Sequence, residues 1–429
     1  MDDMTPDTAH PAGDEASAID LDDERAKVDP ALFEADPAEP PFARSVLTTP
    51  LHLVTSAESR TNRWIRWNGY TVPEVLTDLG DEYRALRGTA ILADHSPLVK
   101  TRISGREAFD YLQRLVARDL SLLDVHSSVH VIFCESGGRV LGDGLLFRLG
   151  NEEYRLVTEE SHLAWMAESA EGFRVRVEDV SASIAMLSLQ GPLSASCLAE
   201  AGLEGIEKLA AFGALWGHIG GMPLYVSRTG ATGDLGYELW TDAEDAPHVW
   251  RRLMERGASL GLRPAGFALR ELARLEAGLP RAGQDYLSAF AAVSAADAVT
   301  PFELWSAPPL ATEKPVFNGG RALRRLAGER PFRRLVLLRA ESFEPASLST
   351  VLCGGRSVGA VTTAGFSPAL GANIALALVE SASLEGNLSV TACRREGLSS
   401  REALLPVRIL PAPAWNSARR VAIPAPLGL

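Results

Sequence analysis

Apolar residues along the chain fall into two spacings, and the segments that carry them are mixed without strict alternation. Ser104-Gly-Arg-Glu-Ala-Phe-Asp-Tyr-Leu-Gln-Arg-Leu115 places Phe109, Leu112 and Leu115 on one helical face, behind a Ser followed by Glu107. That Ser and Glu can satisfy each other's free backbone N–H groups, so the spacing predicts a capped amphipathic helix. Asp81–Gly88 reads as a helix ending at a glycine, and helices recur at Ser194–Ala201, Pro247–Leu260 and Gly266–Gly278. Shorter runs, several of them alternating, predict strands at Thr89–Ala93, Val99–Ile103, Tyr154–Val157, Phe173–Val177 and Ile184–Leu189. Val129–Cys134 and Val140–Phe147 flank Ser136-Gly-Gly138 and predict a hairpin. Beyond a stretch rich in Ala, Ser and Pro from Ser288 to Pro315, five short runs predict a small sheet or barrel. They are Phe332–Arg339, Ser347–Leu352, Arg356–Thr363, Asn373–Val379 and Ser389–Cys393. The mixture indicates an α+β fold rather than a doubly wound one.

Composition changes this picture mainly at the N-terminus. The 429 residues carry a net charge of −13, and Met1–Pro40 alone holds 13 acidic and two basic residues. The remaining body is therefore nearly neutral, which argues against a nucleic-acid groove. Residues 1–41, poor in aromatics and rich in Asp, Ala and Pro, read as an acidic disordered tail. Length suggests two or three domains. No apolar run approaches the roughly 18 to 20 residues that span a bilayer, and the first residues lack a secretory pattern. Cys134, Cys197, Cys353 and Cys393 lie far apart with no CxxC pair, so neither a disulfide framework nor a metal site is expected. Together these point to a cytoplasmic protein with no membrane partner.

Nucleotide and zinc-protease signatures are missing: there is no GxGxxG after a strand, no GK[ST] loop and no HExxH. Four other segments stand out. Arg228-Thr-Gly-Ala-Thr-Gly-Asp-Leu-Gly-Tyr-Glu238 is a glycine-punctuated turn entering a strand. Gly266–Gly278 carries Arg270 and Arg274 one turn apart, and Gly283-Gln-Asp285 follows it. Gly137-Gly-Arg-Val-Leu-Gly-Asp143 sets a carboxylate on a strand, and Gly355–Leu370 with Ile374–Val379 forms a strand, a turn and a strand.

In this order, with Ala93-Asp-His-Ser96, Ile103-Ser-Gly105 and Ala108 upstream, the segments resemble the aminomethyltransferase (glycine-cleavage T-protein) family from about Trp64 to Pro411. The resemblance implies two interleaved α+β domains around a folate cavity (42–315), a C-terminal small β-barrel (316–411) and a loose tail (412–429). It also implies tetrahydrofolate as the one-carbon acceptor. Glu238 matches the family's pterin-reading carboxylate, which can accept two adjacent N–H groups. Asp143 matches the Asp placed near the reacting nitrogen, and Arg270 the Arg that meets the anionic tail. Thr158 and Tyr237 flank these positions as further folate contacts.

The departures bear on the donor. Ala231 stands for the family's Tyr, Asp234 for its Glu and Thr158 for its Asn. These changes lean toward the superfamily's tetrahydrofolate-dependent demethylases, which take a methyl group from a small O-, N- or S-methyl donor. The aryl demethylases carry an Arg near position 159 and a Tyr at 270, so Glu159 suits a neutral or cationic donor better than a methoxybenzoate. Trp67 and Tyr70 would face that donor, and Tyr70, His95 or Tyr237 could supply a proton. The alternatives are aminomethyl transfer from a lipoyl-carrier protein and a folate-binding assembly factor. The latter's marker cysteine is missing from Leu279–Asp285.

Overall fold

A hairpin absent from the sequence expectations opens the fold. After β1 (Leu47–Thr48) and helix α1 (His52–Glu58), strands β2 (Arg63–Trp67) and β3 (Tyr70–Val75) pair antiparallel. Asn68 and Gly69 close them with φ of 48° and 83°, the two left-handed residues a tight hairpin turn requires. This computed structural model describes residues 47–294, 297–305, 310–340, 349–396 and 399–420; the acidic segment 1–41 and part of Ser347–Leu352 lie outside them.

The chain then crosses between two sheets. Helix α2 (Leu79–Gly88) leads into β4 (Ala90–Asp94), which belongs to the first sheet. The second sheet follows as β5 (Val99–Ser104), helix α3 (Ala108–Leu115), β6 (Ser127–Cys134), β7 (Val140–Arg148), β8 (Glu153–Thr158), helix α4 (Leu163–Ser169) and β9 (Arg176–Asp179), with strand order β6-β7-β8-β5-β9. The chain returns to the first sheet with β10 (Ile184–Gln190), helix α5 (Ser194–Glu200), β11 (Ala214–Ile219), β12 (Met222–Ser227), β13 (Gly236–Asp242), helix α6 (Ala246–Gly257) and β14 (Leu262–Ala265). The order there is β11-β12-β13-β10-β4-β14. Two α+β halves are thus interleaved in sequence, as the resemblance implied.

Each sheet buries one face under helices. Leu187, Leu189, Tyr237 and Leu239 pack with Val249, Trp250 and Leu253 of α6, whereas Ile103, Leu146 and Leu156 pack with Tyr111, Leu112 and Leu115 of α3. A third cluster, with Trp67, Phe147, Val157, Met186, Tyr225 and Trp240, joins the two sheets. Strand alternation therefore assigns odd positions of β13 to the helix layer and even positions to the space between the sheets.

Helix α7 (Phe267–Glu276) lies beside that space, and Leu275 packs on Leu337, Ile374 and Leu376 of the last domain. Helices α8 (Pro301–Leu304) and α9 (Gly320–Leu326) lead to β15 (Arg333–Ala340), β16 (Thr350–Cys353), β17 (Arg356–Ser367), β18 (Ala372–Glu380), β19 (Leu388–Glu396) and β20 (Ser399–Leu410), a closed six-stranded barrel. β20, which the sequence reading omitted, closes it. Among the described residues no helix is long and apolar enough to cross a membrane.

Two expectations fail for clear reasons. The Ser104/Glu107 capping box does not form, because Ser104 is paired in β5 and the Glu107 carboxylate accepts the Arg174 backbone N–H at 2.5 Å; α3 starts at Ala108. Nor is the segment after Pro411 loose throughout. The Trp415 and Ser417 N–H groups donate to Glu276 O and Gly233 O at 2.9 and 3.0 Å, and Arg419 pairs with the buried Asp234 at 2.9 Å. A buried carboxylate needs a counter-charge, and the tail supplies one.

Candidate functional site

Between the two sheets lies a cavity of about 470 Å³. Leu98, Leu145, Val157 and Met186 give it apolar walls, and Asp143, Glu159, Glu238, Arg118, Arg270 and Arg281 line it with charge.

Glu238 is an even position of β13, so its side chain enters this space while Tyr237 and Leu239 face α6. It is 6% exposed and accepts a hydrogen bond from the Thr229 hydroxyl. Burial pushes its carboxyl up to about 7, against the opposing pull of Thr229 and Arg270. The glycine-rich run before it is fixed from beneath by the Gln190 amide, which donates to Thr229 O at 3.2 Å and Tyr237 O at 3.4 Å and accepts from the Thr232 hydroxyl at 3.1 Å. A Cβ at Gly236 would stand 1.8 Å from Gln190 Oε1, so only glycine permits that approach.

Arg270, on the first turns of α7, is not free. It pairs with Glu159, pairs with Glu271 at 3.1 Å, and stacks 4.7 Å from the Trp67 ring. Asn68, at the hairpin tip, donates to Glu159 O at 2.7 Å and fixes that strand end. The Glu159 charge is therefore balanced by Arg270, which removes the sequence argument for a cationic donor. Asp234, which also lines the cavity, is likewise engaged by other groups. Its carboxylate is held by Arg419, by the Leu235 N–H at 2.8 Å and by Arg87 at 3.9 Å, so the shortened acid serves a clamp.

Asp143 sits on β7 opposite Ile132 of β6, which makes His130 its diagonal cross-strand neighbour. His130 Nε2 lies 2.7 Å from Asp143 Oδ2, and the Tyr286 hydroxyl donates to Oδ1. Trp305 packs edge-on against both rings. Burial and the Asp143 charge raise the Tyr286 phenol well above its usual range, so it stays a donor.

The structure therefore brings Asp143, Thr158, Glu159, Glu238, Arg270 and His95 to one cavity, Ala231 among them. Thr158 spends its hydroxyl proton on Glu160 O at 2.7 Å. His95 is buried beside Arg270, and both effects hold its imidazole well below the usual range, so it is neutral and cannot act as an imidazolium acid. Three expected contacts are not among the cavity-lining residues. Tyr237 faces the helix core by strand parity; Trp67 is 3% exposed and backs Arg270; Tyr70 is half-buried with the cluster joining the sheets. Sequence reasoning missed His130, Tyr286, Thr229 and Gln190. His130 lay in the expected hairpin, but pairing it with Asp143 needs the register, which the bulge between Phe133 and Cys134 shifts.

Fold and cavity define the class: two α+β halves around a ligand-sized chamber, with a barrel docked on their seam. The GCVT N-terminal domain matches residues 55–297, and the glycine cleavage T-protein C-terminal barrel domain matches residues 333–400. An aminomethyltransferase of Moorella thermoacetica is 33% identical over 324 residues, covering 74% of this chain and 86% of its own length. One from Saccharopolyspora erythraea is 34% identical over 339 residues, covering 77% and 89%. The crystal structure of glycine cleavage system aminomethyltransferase T from Bartonella henselae shares the fold, with a TM-score of 0.74 over 88% of this chain and 99% of that one at 24% identity. The chain belongs to the aminomethyltransferase (glycine cleavage T-protein) family, whose members are one-carbon transferases that use tetrahydrofolate.

Proposed function

We propose that the cavity receives a reduced folate and that the chain moves a methyl group from a small O-, N- or S-methyl donor to it. The carrying observation is Glu238, a buried carboxylate that among the described residues accepts from one side-chain hydroxyl, facing a cavity of about 470 Å³. Such a volume lies in the range of ligand sites, and an under-satisfied buried acid suits a partner with adjacent N–H donors. When bound, the folate supplies the nucleophilic nitrogen. Glu238 would hold the pterin edge; Leu98, Leu145, Val157 and Met186 would exclude water from its faces; Asp143 would stand at the reacting end. Arg270 would meet the anionic tail in exchange with Glu159. Holding donor and acceptor in contact in a dry cavity can supply about 7 to 11 kcal/mol of the barrier.

A second reading is aminomethyl transfer from a lipoyl-carrier protein. The relatives' names favour it, and so does the geometry of Asp234, a departure whose carboxylate is engaged with arginines. Ala231 and Thr158, which line the cavity, favour the methyl donor. Calorimetric titration with tetrahydrofolate tests the common part: Glu238→Gln should bind roughly 10- to 150-fold more weakly, the loss of a hydrogen bond to a charged group. Equal affinity in parent and variant would remove both readings. Incubation with methoxy, methylamino and sulfonium compounds should yield 5-methyltetrahydrofolate; a methylene product formed only from the carrier-bound aminomethyl group would establish the second.

A further inference from the structure

We infer that His130 is the relay partner of Asp143: a proton taken up by the Asp143 carboxylate in the cavity passes along the 2.7 Å contact from Oδ2 to His130 Nε2 and from that ring to solvent. This rests on the folate reading above and adds a route for the proton that an N–H nucleophile must shed on alkylation. In the step the Oδ2–H bond breaks as Nε2 of the Nδ1–H tautomer forms an N–H bond; the imidazolium then releases its Nδ1 proton to water, which leaves Nε2–H donating to the restored carboxylate, and proton exchange with water returns the Nδ1–H tautomer when Asp143 is next protonated. Three observations support it. His130 lines the same cavity as Asp143, and its side chain is 29% exposed against 17%, so the ring is the more water-accessible member of the pair. Tyr286 donates to Oδ1, which leaves Oδ2 as the oxygen that exchanges with the imidazole. Trp305 holds the ring edge-on at 5.6 Å, fixing its plane.

The charges around the ring come from several elements. Asp143 faces it from β7, Tyr286 from the loop after α7, and Trp305 from the end of α8; Arg118 donates to the His130 backbone carbonyl at 3.2 Å. Glu159 and Glu160, after β8, act on Tyr286, and His162 acts on Asp143. Burial takes His162 down to about 4, so it stands neutral beside Asp143 and cannot take the relay's place as a charged group.

His130→Gln separates a relay from a prop, because the amide can still donate to Oδ2 but cannot carry a proton onward. In the full chain, tetrahydrofolate affinity should change less than about threefold. Turnover with the productive donor should fall about 10²- to 10⁴-fold. One limb of the pH–rate profile should vanish, and added imidazole should restore part of the rate. Independently of turnover, ¹⁵N-histidine spectra of the folate-loaded protein should contain a downfield imidazole N–H signal. It should be lost in both His130→Gln and Asp143→Asn and kept in Tyr286→Phe. A His130→Gln enzyme with parental turnover and pH profile, or an N–H signal indifferent to Asp143→Asn, would overturn the relay. Failure of the parent to bind tetrahydrofolate would instead strike the folate reading.

Discussion

Glu276, at the seam between α7 and the barrel, and Glu238, on the cavity wall, are both buried acids, yet their surroundings differ. Glu276 accepts from the Tyr83 hydroxyl at 2.8 Å, the Ser367 hydroxyl at 2.6 Å and Arg87 at 2.5 Å. Nearby, Arg274 is held by Asp285 and Glu271 at 2.7 Å, and Asp285 accepts from Thr363 at 2.7 Å across to β17. Among the described residues Glu238 has the Thr229 hydroxyl as its hydrogen-bond donor, and its carboxyl is raised to about 7. A fully paired buried acid stabilises an interface, whereas an under-paired one stores the cost of its desolvation until a ligand supplies donors.

The largest break in this comparison is at the seam. Arg274→Met leaves the buried Asp285 without its cation and takes from the half-buried Glu271 one of the arginines that hold it, and removing one partner of a buried pair costs about 3 to 5 kcal/mol. Thermal unfolding should drop accordingly, and a drop as small as that of a surface substitution would mean the network is not what joins α7 to the barrel.

The cavity acid gives the next effect, with a definite sign. Its carboxyl rises from the usual 4.5 to about 7 in the fold, so between those pH values the folded chain binds more protons than the unfolded one. Stability should therefore fall as pH rises from 4.5 to 7 and level off above it, by on the order of 3 kcal/mol for this one group. Denaturant midpoints of parent and Glu238→Gln, compared across that window without ligand, should diverge, with the variant flatter. Parallel curves would show that Glu238 is not desolvated.

These effects separate what the sequence could carry from what it could not. Alternation and helical spacing placed most strands and helices of the two halves, because one-sided burial writes its period into the chain. They missed β2–β3, where Trp67 and Tyr70 looked like binding aromatics rather than part of a hairpin whose Trp67 backs Arg270. The resemblance, not the periodicity, pointed to Glu238 and Asp143 for the cavity, and neither pointed to His130, Tyr286 or Gln190. Those partners lie 13, 143 and 39 or more positions away in sequence and meet only through sheet register and loop closure. The C-terminal strap is similar: Asp234 invites a cation, and nothing in its neighbours names Arg419.

A smaller effect sharpens the seam. Ser367→Ala removes one of three donors to Glu276 while Tyr83 and Arg87 remain, so the loss should be about 1 kcal/mol. A loss as large as that of Arg274→Met would place the weight of the seam on Glu276 instead.

The smallest effect tests strand parity itself. Tyr237 and Glu238 are neighbours in the strongest motif of the chain, and both were expected to touch folate. If β13 alternates as described, Tyr237 belongs to the helix-side core, fully buried, with a hydroxyl that meets no partner among the described residues and a phenol pushed up to about 12 by burial. Removing an unsatisfied buried hydroxyl relieves a desolvation cost and leaves a ring of nearly the same shape. Tyr237→Phe should thus be neutral or more stable by up to about 1 kcal/mol, with tetrahydrofolate affinity unchanged, while the adjacent Glu238→Gln loses affinity. Two neighbouring residues with opposite outcomes are what a two-residue period demands, and a folate-binding defect in Tyr237→Phe would mean that the strand presents the other face to the cavity.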